Sequence, residues 1–264
     1  MKNKTTERRQ SILEIIHEQG SARVENMAKK YAVSEVTIRN DLNYMEGRGL
    51  IHRSHGGALL KQNVGYDHPL VEKQHIKMTE KREIAQAAAE LIENGDSIIL
   101  DSGTTTFAML QYLEHKKDIT IITNAVNIAY AAVSQSNIQT LLTGGFLRKR
   151  SFSLVGPDAE ETLSKYYVDK LFIGIDGLDI EYGISTPNPE EASLNRIMVS
   201  ISREVIVVAD SSKFGRSSLS KICGVDSITK LVTDKSIDPE FKQNLEARGI
   251  EVIISSSKLT YHPK

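Results

Sequence analysis

Five short clusters of carboxyl, hydroxyl and glycine residues carry the chemistry best suited to a small polar anion. Asp101-Ser102-Gly103-Thr104-Thr105-Thr106 follows the apolar run Ser97–Leu100, and Thr123-Asn124 follows the next run. Gly144-Gly145, Asp176-Gly177 and Asp210-Ser211-Ser212-Lys213 close three more. Glycine lets the backbone approach a ligand, hydroxyls donate hydrogen bonds, and a helix N-terminus attracts negative charge. Lys213 is suited to a phosphate or a sugar hydroxyl, while Asp101 and Asp176 are suited to accept from hydroxyls. Any one cluster is as readily a helix cap or a turn. Five at strand ends, which one sheet edge can gather, are a stronger signal. The spacing GxxxxGK[ST] of a nucleotide-phosphate loop is absent, as is the dinucleotide fingerprint GxGxxG.

A second kind of chemistry lies near the N-terminus. Ser34 is a good N-cap for a helix to about Arg48, with Ile38, Leu42 and Met45 facing inward. That leaves Glu35, Val36, Thr37, Arg39, Asn40 and Asn43 on the outward and flanking faces. Arginine can hold guanine in a bidentate way and asparagine adenine, from a helix lying in the major groove. Lys29, Lys30, Arg48, Arg53 and His55 are placed to neutralise phosphates, which positions a protein on DNA without reading sequence. Taken singly, such residues are equally a solvated helix face.

The elements that must position these groups divide the chain. Ile12, Ile15 and Ile16 predict a helix over 6–19 stopped by Gly20, and Ser21 is expected to cap a second helix with Val24, Met27, Ala28 and Tyr31 inward. After the third helix, ended by Gly47 and Gly49, residues 50–53 and 58–60 read as two strands joined through His55-Gly56-Gly57. Three helices and a hairpin outline an α+β winged helix-turn-helix over residues 5–60. Residues 61–80 are polar and read as a linker. Over 81–256, strands at 97–100, 119–123, 139–143, 170–175, 204–209, 230–233 and 249–254 alternate with helices, beginning with 81–93. That alternation predicts an α/β, Rossmann-like domain with a parallel sheet covered on both faces.

The chain has 264 residues, 40% hydrophobic and 25% charged, so it has a globular composition and room for two domains. Its net charge of −1 argues against a wholly basic nucleic-acid binder, but the average is misleading. Residues 1–61 hold eleven Lys/Arg against seven Asp/Glu, a surplus of four, and the remainder therefore carries −5. A basic head on an acidic body implies a polyanion for the head alone. Cys223 is the single cysteine, which excludes an intramolecular disulfide and a Cys-rich zinc site. His68, His75 and His115 form no metal-ligand spacing, so neither a metal nor another cofactor is expected. The N-terminus has no signal-peptide core and no apolar run approaches 18 residues, so a cytoplasmic location and no membrane contact are expected.

ERRQSILEIIHEQG, VSEVTIRNDLNYMEGRGLIHRSHGGALL and LDSGTTT resemble the DeoR-type bacterial transcriptional regulators, from about Glu7 to Ile254. Thr37-Ile38-Arg39 with Asp41-Leu42, followed by His55–Ala58, is specific to that family's head. Asn40 stands where many members carry a second arginine, which bears on operator preference and not on the role of the helix. TIRND, DSGTTTF and GGFLRKRS resemble the branch that regulates N-acetylgalactosamine and galactosamine use. The resemblance implies a body with a sugar-phosphate isomerase-like fold that binds a phosphorylated sugar effector. Matched by motif, its pocket comprises Asp101, Ser102, Gly103, Thr104, Thr105, Thr123, Asn124, Gly144, Gly145, Asp176, Gly177, Glu191 and Lys213. It further implies a homo-oligomer, dimer or tetramer, that binds operator DNA as a repressor and is weakened by effector. The alternative is a sugar-phosphate isomerase or deaminase, because Asp176–Asp179 and Asp210–Lys213 faintly resemble isomerase segments. A DNA-binding head is of no use to such an enzyme. A purely architectural DNA binder has no need of the acidic body.

Overall fold

Ile12, Ile15 and Ile16 put one apolar stripe on α1 (Lys4–Gln19), and all three are buried. They meet Ala22 of β1 (Ser21–Arg23), Val24 and Met27 of α2 (Val24–Tyr31), and Ile38, Leu42 and Met45 of α3 (Glu35–Gly47). Ile51 of β2 (Ile51–Ser54) and Ala58 of β3 (Gly57–Leu60) complete that core. Each fully buried aliphatic side chain of this kind contributes about 1.5–3 kcal/mol. The strands form an antiparallel sheet in the order β1-β3-β2, so the unit is a winged helix-turn-helix. Ala32 ends α2 in the left-handed region at φ +52°, and the Ser34 Oγ accepts from the Thr37 N–H at 3.2 Å to open α3. Gly57 is required by close approach: a Cβ there would lie 2.3 Å from the Ala22 carbonyl oxygen on β1.

The computed structural model describes residues 4–19, 21–48, 50–54, 56–60, 65 and 67–256. Gly20, Gly49 and His55, assigned above to two helix stops and a phosphate contact, lie outside them. Ser21 does not cap α2. It begins β1 opposite Leu59, because pairing with the wing hairpin claims its backbone.

The chain divides into two units between Tyr66 and Asp67, so residues 67–80 are part of the body and the linker expected over 61–80 is cut short. Leu70 is buried there, on the one-turn helix α4 (Leu70–Lys73), and α5 (Met78–Glu90) starts three residues before the expected helix. Then follow β4 (Ser97–Leu100), α6 (Thr104–Met109), β5 (Ile119–Thr123), α7 (Val126–Ala132) and β6 (Ile138–Leu142). A hairpin that the apolar runs do not reveal comes next, β7 (Phe146–Arg148) and β8 (Ser153–Val155), followed by α8 (Pro157–Leu163) and β9 (Val168–Ile173). β10 (Gly177–Asp179), β11 (Gly183–Thr186), α9 (Pro189–Ser200), β12 (Ser202–Val208) and β13 (Ser220–Cys223) lead to β14 (Lys230–Thr233), α10 (Pro239–Ala247) and β15 (Glu251–Ile254). Asn188 and Asp238 cap α9 and α10, each followed by proline at the first helical position.

The main sheet is parallel throughout, in the order β15-β14-β12-β9-β4-β5-β6. Ile98 and Leu100 pack on one face while Ile99 packs on the other, so the strands are apolar on both sides. The chain winds one way from β4 to β6, then returns to β9 and winds the other way. The order therefore reverses between β4 and β9, and the crevice beyond their carboxyl ends is where doubly wound sheets bind ligands. A small antiparallel sheet, β10-β11-β13, lies after β9 in the chain and is not apparent from the apolar runs.

Asp41 joins α3 to α1: it is 1% exposed and accepts from Arg8 Nε at 2.6 Å and Arg9 Nε at 2.7 Å. Asp41→Ala strands both guanidinium groups and is expected to destabilise the head by about 2–3 kcal/mol. Urea unfolding followed on the head's transition checks this; an unchanged midpoint contradicts it.

Candidate functional site

At the reversal point, the Asp101 N–H donates to the Phe172 carbonyl at 3.1 Å, extending the β4–β9 ladder and bringing the Asp101 cluster beside the end of β9. Asp176 follows β9 and is held in place by its own N–H, which donates to the Ser185 carbonyl at 3.1 Å. Its carboxylate, 19% exposed, takes two bonds from Lys73 Nζ at 2.9 and 3.1 Å and one from Lys213 Nζ at 3.4 Å. Burial alone would raise this carboxyl; the two ammonium groups hold it well below the usual carboxylate range. Lys81, buried on α5, donates to the Lys73 carbonyl at 2.5 Å. Burial lowers its pKa to about 8, assisted by Lys213 and Lys73 and opposed by Asp210 and Asp176.

Asp101 is the electrostatic opposite of Asp176. It is 3% exposed, and burial, reinforced by the charge of Glu191, raises it well above the usual range against the hydrogen bonds from Ser102. Glu191, near the start of α9, accepts from Ser153 Oγ at 2.8 Å and pairs closely with Arg148, which also reaches Asp67 at 2.7 Å. A cavity of about 240 Å³ shares Lys81 and Thr104 with this cluster and is walled by Leu70, Met78 and Phe107.

Asp101, Ser102, Asn124, Asp176, Glu191 and Lys213 are thus linked by short contacts or by charge around one crevice. The Ser102 N–H donates to Asn124 Oδ1 at 3.2 Å, and Asn124 Nδ2 is buried with no partner among the described residues. Asp210 holds the Lys213 turn by accepting from the Ser212 N–H at 3.1 Å. Thr104 opens α6 beside the cavity, and Thr105 is buried behind it. Gly103 is extended and has no special need for glycine. Thr123 is structural, since its Oγ1 donates to the Leu100 carbonyl and accepts from the Ala125 N–H. Packing accounts for Gly145 and Gly177, where a Cβ would lie 2.5 Å from the Val155 carbonyl oxygen and 2.6 Å from that of Arg216. Gly144 is a turn residue at φ +79°. Lys73 and Lys81 carry no signal in the sequence, because they lie at or just beyond a polar stretch without strand-end motifs, and Arg148 falls within GGFLRKRS but is not singled out by residue type.

On the head, Val36, Arg39, Asn40 and Asn43 recur at i, i+3, i+4 and i+7 of α3 and are exposed. Arg39 Nη2 donates to Glu35 Oε2 at 2.6 Å. Arg53 is engaged within the protein, with Nη1 donating to the Arg39 carbonyl at 3.2 Å and closely to Asn43 Oδ1. It ties the wing to α3, in place of the free phosphate contact expected of it. Lys29, Lys30 and Arg48 are exposed, and the Arg48 guanidinium lies 4.9 Å from the Tyr44 ring centroid.

Two family models match this chain, a DeoR-like helix-turn-helix domain over residues 8–64 and a DeoR C terminal sensor domain over 76–235. The chain belongs to the DeoR family. An Escherichia coli O157:H7 protein, provisionally named an aga operon transcriptional repressor, is 41% identical over 95% of this chain and 94% of its own length. The transcriptional regulator GlpR of Haloferax volcanii is 35% identical, over 94% and 96%. The glycerol-3-phosphate regulon repressor of Escherichia coli K12 is 31% identical, over 88% and 91%. Ribose 5-phosphate isomerase A of Methanocaldococcus jannaschii superposes with a TM-score of 0.38 at 18% identity, over 51% of this chain and 53% of that one. This DeoR-family chain is a DNA-binding transcriptional regulator, and the isomerase or deaminase alternative is set aside. No helix among the described residues is long and apolar enough to cross a membrane.

The Lys81 shift has a signed consequence. Its folded pKa of about 8 lies below the ordinary 10.5, so the unfolded chain binds more protons between those values and the group's contribution to stability rises with pH there. Wild type is expected to gain stability relative to Lys81→Met between about pH 8 and 10.5, measured by denaturant unfolding. A difference independent of pH contradicts the assignment.

Proposed function

We propose that this regulator represses a carbohydrate-utilisation operon and is released from its operator when a phosphorylated sugar occupies the crevice between β4 and β9. The observation that carries this reading is the convergence of Lys73 and Lys213 on Asp176 at the reversal point of the sheet, with Lys81 bonded to the Lys73 carbonyl beside them. A phosphoryl group carries roughly −1.5 to −2 charges near neutrality, and two lysines sharing one carboxylate are a ready recipient. Asp101, Asn124 and Glu191 then serve the sugar's polar groups. Asn124 Nδ2 is the group most in need of an acceptor, being buried and unpartnered among the described residues. Binding that favours one arrangement of the sensor shifts operator affinity by the difference in ligand affinity.

On DNA, Arg39 and Asn40 read base edges from α3, with Glu35 orienting Arg39 and Val36 offering an apolar contact. Lys29, Lys30, Ser34, Thr37 and Arg48 serve the backbone, and Arg53 and Asn43 fix the wing against the helix. The protein acts as a dimer or tetramer in the cytoplasm. An amino-sugar phosphate is the preferred effector class, supported by the name of the 41% identical relative and by the motif resemblance.

A melting-temperature screen of phosphorylated sugars that includes galactosamine 6-phosphate and tagatose 6-phosphate tests this, followed by mobility shifts on an operator selected from random DNA. A stabilising sugar phosphate that releases the operator is expected; a panel without one overturns the reading. Arg39→Ala is expected to lose about 5- to 150-fold in operator affinity, the range of one bidentate base contact. Lys213→Ala is expected to lose the sugar-phosphate shift and the release. Unchanged titrations of either variant contradict its assigned role.

A further inference from the structure

The body begins with a segment that cannot hold its own shape. α4 is a single turn of four residues, too short to be stable by itself, yet it follows directly on the division at Tyr66 and Asp67. What orders it is contact with the rest of the sensor. The Asp67 carboxylate takes Arg148 Nη2 at 2.7 Å, and Arg150 Nη1 donates to the Asp67 carbonyl at 2.7 Å. The Leu70 N–H donates to the Arg150 carbonyl at 2.6 Å, and the Leu70 side chain is 4% exposed. At its far end Lys73 is paired with Asp176. Both anchors lead to groups around the crevice: Arg148 bridges on to Glu191, and Lys73 is bound to the carboxylate it shares with Lys213.

We infer that residues 67–73 form the transmission strap of this sensor, latched by Lys73 on Asp176 and unlatched when a phosphoryl group takes Lys73 away. The inference rests on the proposed sugar-phosphate site and deepens it. Asp176 carries one negative charge and a phosphoryl group up to two, so the ligand competes for the same ammonium with the stronger field. When Lys73 turns to the ligand, the strap loses its anchor on Asp176 and is held only by the Arg148, Arg150 and Leu70 contacts at its other end. The strap is the first stretch of the body after the division at Tyr66 and Asp67, so a shift in it is passed along the chain that leads to the head. The ligand acts only through its different affinities for the latched and unlatched arrangements.

A switchable cross-link tests this in the full-length protein. The Leu70 N–H bonds the Arg150 carbonyl, which brings the two backbones together, and Leu70→Cys/Arg150→Cys, with closure verified by thiol titration, pins the strap when oxidised. Burial pushes the native Cys223 thiol up to about 11, so it does not compete. With galactosamine 6-phosphate and tagatose 6-phosphate as probes, the oxidised protein is expected to show the melting shift but no operator release. Reduction is expected to restore release. Equal release from oxidised and reduced protein overturns the strap. Absence of any melting shift in wild type instead overturns the ligand reading. Lys73→Met gives a second measurement that needs no ligand: operator binding should weaken about fivefold or more, with Lys73→Arg restoring it. A folded Lys73→Met protein that binds operator like wild type overturns the strap as well.

Discussion

Asp176 sits where β9 ends, recessed from water, and a carboxylate in that position has to be neutralised where it stands. Lys73 and Lys213 reach it from opposite sides in sequence, one more than a hundred residues before it and one well after. The arrangement is costly unless both cations are present, which ties three distant stretches of chain to a single point. The same arrangement is also easily disturbed, because a second anion of higher charge can bid for the same lysines.

The fold supplies this geometry through an ordinary consequence of parallel sheets. Strands buried on both faces carry few polar groups along their length, so chemistry gathers at their carboxyl ends. Reversal of winding between β4 and β9 opens a crevice there, with Asp101 on one wall and Asp176 on the other. The two aspartates have opposite environments. Asp101 is buried near Glu191, and both burial and that charge push its carboxyl up, while the ammonium groups of Lys73 and Lys213 hold Asp176 down.

The clusters after the apolar runs are visible in the sequence because strand-end loops announce themselves by residue type. Asp101, Asp176 and Lys213 stand out in that way. Glycine is a poorer guide: Gly145 and Gly177 are demanded by close backbone approach, with no need of a ligand to explain them. Lys73 and Lys81 are invisible for a physical reason. Lysine in a polar stretch looks solvated until the tertiary fold turns it inward, and a four-residue helix has no periodicity to betray it. The head is more legible, since Ile38, Leu42 and Met45 mark the inward face of α3 and Ser34 its start. Arg53 still looks like a phosphate contact in the sequence, because its bonds to Asn43 and to the Arg39 carbonyl are long-range.

In the proposed function, Lys73 serves Asp176 and a phosphoryl group in turn. A crystal structure with the sugar phosphate that raises the melting temperature most measures this directly. Phosphoryl oxygens are expected within hydrogen-bond distance of Lys73 Nζ and Lys213 Nζ, with Lys73 beyond salt-bridge distance from Asp176. A ligand bound elsewhere, with the Lys73–Asp176 pair still at its present 2.9 Å, would contradict it.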